Sequence, residues 1–330
     1  MKIAVLHDYA DVFRRTAASA RLSAHVVTVY NDAYIDEDRV VEQATGCDAL
    51  VLTQQRVPIT RGIVERLPAL RFISQTGRNV YHLDLEACTQ HGIVVSAAGG
   101  TDGTSPYSAT AELTWGLIIA SLRHLPVEVP RFRAGHWHST VGTALAGATL
   151  GIYAYGHIGS AVARVGRAFG MRVLCWGREA STARARADGF EVAASREAFF
   201  EAADVLTLHL PGTAQTRGIV RRVDLALMKP TALLVNTSRA SIIEPESLAD
   251  ALRAGRPGRA AVDVFEREPV LGGDHPLLAL DNALCTPHLG YADRRGYETM
   301  YCHAVDQLLA FAAGAPINVV NPAARGSPAR

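Results

Sequence analysis

Three polar side chains in the second half of the chain each follow a strand-like run of apolar residues. Arg239 follows the run in LLVNTSRASII, Glu268 follows VDVF, and His288 follows ALCTP. Ligands of open parallel sheets bind outside the carboxyl ends of the strands, so the three loops are expected to meet on one rim. The sequence therefore predicts a site that combines a guanidinium, a carboxylate and an imidazole.

The chemistry of these three groups is complementary. Arg239 can bind a carboxylate through two hydrogen bonds and polarise an adjacent carbonyl. His288 can give or take a hydroxyl proton near neutral pH, and Glu268 can orient the imidazole and favour its protonated form. Alone, each residue is more often a surface cation, a solvated carboxylate or a structural histidine. Together they suit hydride transfer at the 2-position of a 2-hydroxy or 2-oxo acid.

A glycine-containing loop precedes this set in TLGIYAYGHIGSAVARVGRAFG, between a predicted strand and a predicted helix. In a nucleotide-binding βαβ unit the second glycine lets the backbone approach the pyrophosphate, and the third lets helix and strand pack closely. Gly156 and Gly159 hold those two positions, and Ala154 replaces the first glycine. A tight turn in any α/β protein is the alternative. The residues expected to bind the pyrophosphate at the helix N-terminus are Ala154, Tyr155, Gly156, His157, Ile158 and Gly159.

The end of the next predicted strand, MRVLCW, indicates which dinucleotide binds. An NAD site normally places Asp or Glu there to bind the ribose hydroxyls. This chain has Gly177 and Arg178 instead, and Glu179 comes later in the turn. Loss of the acid removes repulsion of a 2′-phosphate, and an arginine fork matches one. The sequence slightly favours NADP(H) over NAD(H), the alternative being that Arg178 is a solvated cation.

Short β-branched runs and helical stretches alternate along the chain in two series, which predicts two α/β units with parallel sheets. The first series runs from KIAVL to GIVVSA and the second from TLGIYAY to ALCTPHL. A loop, GGTDGTSPYSAT, and a long apolar helix, AELTWGLIIASLRHL, separate them. A last helical stretch could return to the first unit, and the tail NPAARGSPAR is expected to be disordered.

The composition narrows the class of protein. The 330 residues are 48% hydrophobic and 20% charged with a formal net charge of +1, which gives no basic surface for nucleic acid or an anionic membrane. The N-terminus has no signal peptide pattern, and the longest apolar run is too short to span a membrane. Five scattered cysteines without a CxxC pair indicate reduced thiols rather than disulfides or a metal site, and hence the cytoplasm.

These motifs resemble those of the D-isomer-specific 2-hydroxyacid dehydrogenase family, which includes 3-phosphoglycerate dehydrogenase and glyoxylate/hydroxypyruvate reductase. The resemblance covers nearly the whole chain, up to PINVVNP, and rests on the glycine loop, HLPGTAQTRGIV, MKPTALLVNTSRA, VDVFEREP and TPHLG. It implies a discontinuous flavodoxin-like substrate domain, residues 1–100 plus 291–330, and an NAD(P)-binding Rossmann domain, residues 101–290. It also implies a homodimer through the cofactor domains, with the AELTWGLIIASLRHL helix as a link.

The resemblance assigns substrate binding to Arg239, orientation of the histidine to Glu268 and acid/base catalysis to His288. It implies that Asp263 holds the nicotinamide carboxamide. It further implies that the cofactor is lined by Pro211, Thr216, Thr237, Ser238 and Gly290.

The chain departs from the family in the N-terminal loop that binds the substrate carboxylate. That loop keeps Gly77 but has Arg78 and Asn79 where a small residue and a second glycine are common. Arg78 could bind a second anionic group of the substrate, or it could restrict the pocket or face solvent. The favoured substrate resembles glyoxylate or hydroxypyruvate, and 3-phosphoglycerate dehydrogenase is the alternative enzyme. A non-catalytic NAD(H)-sensing protein of the corepressor type is the alternative of another class.

Overall fold

A computed structural model describes residues 1–33, 36–98 and 107–326 of the 330-residue chain. Most of the glycine- and serine-rich loop predicted around residues 99–110 lies outside the described residues. The strands in chain order are β1 (Lys2–Leu6), β2 (Val26–Val29), β3 (Ala49–Leu52), β4 (Phe72–Gln75), β5 (Val94–Ala97), β6 (Thr149–Tyr153), β7 (Arg172–Trp176), β8 (Glu191–Val192), β9 (Val205–Leu208), β10 (Leu233–Asn236), β11 (Arg259–Val262) and β12 (Ala283–Cys285).

Helices connect these strands, as the alternating pattern of the sequence predicts. They are α1 (Ala17–Ala20), α2 (Glu37–Ala44), α3 (Arg61–Glu65), α4 (Leu85–Gln90), α5 (Tyr107–Leu122), α6 (Leu125–Arg133), α7 (His157–Ala168), α8 (Glu179–Ala187), α9 (Arg196–Ala202), α10 (Arg222–Leu227), α11 (Ser247–Arg253) and α12 (Arg294–Ala312). Short 3₁₀ helices cover Phe13–Arg15, Ala240–Ile242, Pro276–Ala279 and Pro322–Gly326.

The chain divides into two compact units, residues 1–105 with 293–330 and residues 106–292. The first unit holds a parallel five-stranded sheet in the order β2-β1-β3-β4-β5, which is the flavodoxin-like arrangement. One of its faces packs on α2, α3 and α4 through buried side chains such as Leu50, Ile63 and Val95. The C-terminal segment returns to this unit, where α12 lies against β4 and Val319 pairs antiparallel with Ser96 of the edge strand.

This return corrects the expectation of a disordered tail for residues 321–326. Asn321 is buried, its side chain accepts a hydrogen bond from the Val95 amide and donates to the Ile93 carbonyl, and a 3₁₀ helix follows it. The pairing of this segment with the sheet edge supplies hydrogen bonds that its local composition does not reveal. Residues 327–330 lie outside the described part of the chain.

The second unit holds a parallel seven-stranded sheet in the order β12-β11-β10-β9-β6-β7-β8. Two hydrophobic clusters cover its two faces, one around Phe199 and Leu234 and the other around Trp115 and Val162. This is the doubly wound dinucleotide-binding order with one further strand. Because strand order reverses between β6 and β9, the loops after these strands open a crevice at the carboxyl rim.

Candidate active site

The predicted site residues of the second unit stand in the loops that follow β6, β7, β9, β10, β11 and β12. All strands of this sheet are parallel, so these loops leave the sheet at the same carboxyl rim. The glycine loop follows β6, Arg239 follows β10, Glu268 follows β11 and His288 follows β12. The structure thus places the glycine loop and all three predicted catalytic residues on one rim of one sheet.

His288 and Glu268 form a direct hydrogen bond. His288 Nδ1 lies 2.6 Å from Glu268 Oε2, and the other carboxylate oxygen accepts a hydrogen bond from the Phe265 amide at 2.9 Å. The side chains are 30% and 33% exposed, so the pair is reachable from solvent but partly desolvated. With Nδ1 donating to the carboxylate, Nε2 is the ring nitrogen left for proton exchange with a substrate.

The charge of Glu268 is maintained by its surroundings. Burial raises the pKa of the Glu268 carboxyl, but the hydrogen bond and charge of His288, the Phe265 amide and the charge of Arg239 together outweigh burial. The pKa therefore lies below its ordinary value. Glu268 is consequently a carboxylate at neutral pH and can stabilise a protonated imidazole.

Arg239 is presented by a turn that the sequence reading did not single out. The side chain of the buried Asn236 donates to the Arg239 carbonyl and accepts from the Ser238 amide, each at 3.0 Å. A Cβ at Gly212 would lie 2.8 Å from Arg239 Cγ, so this glycine leaves room for the arginine stem. The sequence feature that could have identified Asn236 is its position as the polar last residue of an otherwise apolar strand. Arg239 itself is exposed.

The glycine loop has the geometry of an anion site. Gly156 is the N-cap residue of α7 and has no side chain, so this 12-residue helix lacks the side-chain acceptor that usually caps its N-terminus, which is the end of a helix that favours anions. A Cβ at Gly159 would lie 2.4 Å from the Ala154 carbonyl oxygen, which requires glycine for close packing of helix and strand. Ala154 has φ 75°, a left-handed conformation that favours glycine. Alanine at the position of the first glycine therefore strains the backbone in addition to adding a methyl group.

Not every residue of this loop presents a side chain toward a ligand. Tyr155 is buried, its hydroxyl donates to Asp188 at 2.5 Å, and its amide donates to Ser181 at 2.7 Å. Ile158 packs against the core, whereas His157 is exposed. A cleft of about 250 Å³ opens beside the loop toward α8. The residues that suit a pyrophosphate are therefore Gly156 and the amides at the start of α7.

The turn after β7 exposes the arginine predicted to recognise a 2′-phosphate. Arg178 is the N-cap residue of α8, follows Gly177, and is exposed without an ion pair among the described residues. Glu179 lies 3.0 Å from the guanidinium of Arg186 on the same helix. This acid is thus paired within α8.

Four further residues predicted to line the cofactor stabilise the rim loops. The buried Thr216 hydroxyl donates to the Pro211 carbonyl and accepts from the Thr213 amide at 2.9 Å, which fixes the turn after β9. The Thr237 hydroxyl lies 2.9 Å from that of Thr114, and Ser238 donates to the Leu208 carbonyl at 2.6 Å. A cofactor on this rim would therefore meet a surface held by hydrogen bonds.

Asp263 and Gly290 contact each other. Both oxygens of the buried Asp263 carboxylate accept hydrogen bonds from the turn that carries His288, and the Gly290 amide is one donor, at 2.8 Å. Burial raises the pKa of Asp263, although the donors of the turn and the charge of His288 oppose that rise. Asp263 is 0% exposed, so its carboxylate stands beneath the turn and not on the open rim.

The predicted substrate loop lies on the carboxyl rim of the first sheet, after β4. Gly77 is enclosed by three glutamine side chains, and a Cβ there would lie 2.8 Å from the Gln55 amide nitrogen. Arg78 and Asn79 are exposed, and Arg78 has no salt-bridge partner within the described ranges. This arrangement leaves the guanidinium accessible to an anion.

Comparison with known proteins agrees with this architecture. Residues 115–290, more than half of the chain, match the family model described as D-isomer specific 2-hydroxyacid dehydrogenase, NAD binding domain. The chain belongs to the D-isomer specific 2-hydroxyacid dehydrogenase family. The expected family, the two parallel-sheet α/β domains and the nicotinamide cofactor are confirmed. This protein is accordingly an oxidoreductase of the 2-hydroxyacid dehydrogenase type.

Individual relatives of this dehydrogenase have two kinds of name. The glyoxylate reductase of Aeropyrum pernix is 38% identical, with 86% of each chain covered. The D-3-phosphoglycerate dehydrogenase of Methanocaldococcus jannaschii is 35% identical, but the alignment spans only 48% of that protein and 78% of this chain. The solved structure from Ralstonia solanacearum that is described as a D-3-phosphoglycerate dehydrogenase oxidoreductase superposes with a TM-score of 0.92 at 46% identity, covering 99% of this chain and 98% of that one.

Neither a membrane-spanning helix nor a cluster of metal-binding side chains occurs among the described residues. No helix in these ranges is long and apolar enough to cross a membrane. No group of three or more His, Cys, Asp or Glu side chains among the same residues could hold a metal ion.

Proposed function

We propose that this dehydrogenase interconverts a small 2-oxo acid and its D-2-hydroxy acid, with glyoxylate or hydroxypyruvate as the favoured type of substrate. The observation that carries the proposal is the 2.6 Å hydrogen bond between His288 Nδ1 and Glu268 Oε2, on the rim that also bears Arg239 and the glycine loop. A pure nucleotide sensor does not require this pair. The similarity to glyoxylate reductases along 86% of the chain supports the substrate type.

The proposed roles follow from the chemistry of the side chains. Arg239 binds the substrate carboxylate and draws electron density from the adjacent C2 carbonyl. His288 in its protonated form, hydrogen-bonded through Nδ1 to Glu268, transfers its Nε2 proton to the carbonyl oxygen as C2 is reduced, which yields the 2-hydroxy acid. In the opposite direction neutral His288 removes the hydroxyl proton. When bound, the nicotinamide cofactor supplies the hydride for reduction of C2 and accepts it in oxidation.

The second unit would hold the cofactor and the first unit the substrate. Gly156, the first-turn amides of α7 and the surface formed by Thr216, Thr237 and Ser238 suit the cofactor. Within this proposal NADP(H) is slightly favoured, because Arg178 is exposed where an acid is normal and Glu179 is paired with Arg186. Gly290 would line the carboxamide end of the site, with Asp263 buried directly beneath it.

The accessible guanidinium of Arg78 supports a second candidate, a 3-phosphoglycerate dehydrogenase. Arg78 follows Gly77 on the rim of the first sheet, and an arginine fork suits a phosphate oxygen pair. Two curated relatives named D-3-phosphoglycerate dehydrogenase align with the chain over about half of their own length, whereas the solved Ralstonia solanacearum structure, described as a D-3-phosphoglycerate dehydrogenase oxidoreductase, is covered over 98% of its length. In this candidate Arg78 and Asn79 bind the part of the substrate beyond C2.

A homodimer completes the proposal. Helix α6 has no buried residue, and the segment around it exposes Phe132, Trp137 and Val141 by 65%, 75% and 91%. Such an apolar segment on an otherwise ordinary surface suits a second copy of the chain. Light scattering coupled to size-exclusion chromatography would return twice the chain mass of 35.3 kDa, and a 35.3 kDa particle would contradict the dimer.

Five free cysteines support a cytoplasmic location.

Initial rates of NADPH and NADH oxidation test the proposal directly. The substrates are glyoxylate, hydroxypyruvate, phenylpyruvate and 3-phosphohydroxypyruvate, each with both cofactors. We expect the highest rates with glyoxylate or hydroxypyruvate. A preference for the phosphorylated acid that disappears in Arg78→Ala, but not in Arg71→Ala on the same unit, would favour the second candidate. Tight cofactor binding without reduction of any acid would contradict both.

A further inference from the structure

The backbone that carries His288 adopts a conformation that needs support. His288 has φ 53°, the left-handed region that is uncommon for residues other than glycine, and its amide donates to the Thr286 carbonyl at 2.9 Å. A non-glycine residue in this conformation is strained and persists only where the surroundings fix it. The turn from Thr286 to Gly290 would otherwise relax and move the imidazole away from Glu268.

The buried carboxylate of Asp263 supplies that support from beneath the turn. Its Oδ1 accepts from the Thr286 hydroxyl at 2.6 Å and from the Leu289 amide at 2.7 Å, and its Oδ2 accepts from the Gly290 amide at 2.8 Å. The donors come from both sides of His288 in the sequence. A carboxylate that accepts three short hydrogen bonds fixes the turn more firmly than neutral acceptors could.

We propose that Thr286 is a positioning residue for His288 and acts through Asp263. The inference rests on the proposed role of His288 as the acid/base. Thr286 is the one side chain among the three donors, so it is the point where a substitution can change the support without altering the backbone or the carboxylate. The Thr286 hydroxyl fixes Asp263 Oδ1 beneath the Leu289 amide. The turn from Thr286 to Gly290 is thereby held in place and keeps His288 Nδ1 against Glu268.

The experiment compares Thr286→Val with Thr286→Ser. Valine keeps the shape of threonine but cannot donate, whereas serine keeps the hydroxyl. We expect Thr286→Val to lower kcat roughly 10- to 100-fold, the usual effect of misplacing a catalytic group by about 1 Å, with the cofactor Kd within twofold of wild type. Thr286→Ser should restore most of kcat. Equal activity of the valine variant and the wild type would overturn the inference.

A double variant separates positioning from general damage to the fold. In a His288→Gln background the imidazole is absent, so Thr286→Val should cause no further fall in the residual kcat. A fall of the same factor in both backgrounds would show that Thr286 acts independently of His288 and would refute the proposal. If His288→Gln alone leaves kcat unchanged, it is the proposed function that fails, and the two failures are therefore distinguishable.

A spectroscopic measurement distinguishes a misplaced His288 from a general loss of folded protein in the valine variant. The proton of a short hydrogen bond from His288 Nδ1 to Glu268 should give a strongly downfield signal in proton NMR, absent from His288→Gln. We expect that signal to be kept in Thr286→Ser and lost or shifted in folded Thr286→Val. An unchanged signal in Thr286→Val would contradict the positioning role, and thermal unfolding verifies that each variant is folded.

Discussion

Alanine substitutions at the two glycines of the loop after β6 should affect different properties: Gly159→Ala should lower the stability, and Gly156→Ala should lower the affinity for the cofactor. At Gly159 the new Cβ would lie 2.4 Å from the Ala154 carbonyl oxygen and 3.1 Å from Ile152 Cγ2. Both the Cβ and the carbonyl oxygen are fixed to the backbone, so α7 must withdraw from β6 by about 1 Å to reach ordinary contact distance. At Gly156, by contrast, no atom lies within 4 Å of the new Cβ and the backbone is extended.

The magnitudes follow from these contacts. Overpacking of this kind costs about 1–3 kcal/mol, which lowers the Tm of a unit of this size by roughly 2–12 °C. Gly156→Ala should leave the Tm within about 2 °C, because a smaller unfolded-state entropy offsets the poorer N-cap residue. Its methyl group stands where the backbone must approach a pyrophosphate, so the cofactor Kd should rise roughly 5- to 150-fold.

The assay measures Tm without ligand and the Kd of NADPH and NADH by fluorescence. Gly116→Ala on α5 is the matched control, since nothing lies within 4 Å of its Cβ and the glycine is helical. It should raise stability by up to about 1 kcal/mol and leave both Kd values unchanged. Wild-type cofactor affinity in Gly156→Ala would show that no pyrophosphate approaches this loop. An unchanged Tm in Gly159→Ala would refute the packing argument.

Three further substitutions test the remaining assignments. His288→Gln should lower kcat roughly 10²- to 10⁴-fold with the cofactor Kd unchanged, and turnover near the wild-type value would remove the acid/base role. Arg178→Ala should raise the KM of NADPH roughly 10- to 100-fold and leave that of NADH alone, whereas equal effects would show that Arg178 does not bind a 2′-phosphate. The Asp224 side chain is 2% exposed beside Arg196. Burial raises the pKa of Asp224, but the hydrogen bonds from Arg196 and the Arg221 amide lower it by more, so the pKa lies below its ordinary value. Asp224→Asn should therefore cost about 2–4 kcal/mol of unfolding free energy at pH 7, a difference in urea denaturation that shrinks as the pH falls through the depressed pKa; a difference constant with pH would contradict it.

The sequence by itself determined the order of strands and helices, the parallel sheets and the rim on which the site residues stand. Period and composition act locally, and every predicted strand run contains an observed strand. The two-residue β8 was not predicted, because so short a run has no period to read. The placement of Arg239, Glu268 and His288 on one rim was also predictable, since parallel strands bring their following loops to one edge of the sheet.

Only the tertiary structure decided how those groups are held. The carboxylate of Asp263 is 23 residues distant from Thr286 in sequence, and their hydrogen bond forms because β11 and β12 are neighbours in the sheet. The left-handed backbone at Ala154 and at His288 depends likewise on contacts that no local pattern encodes. Residue types set which chemistry is possible, and long-range hydrogen bonds fix the conformations in which those residues can carry it out.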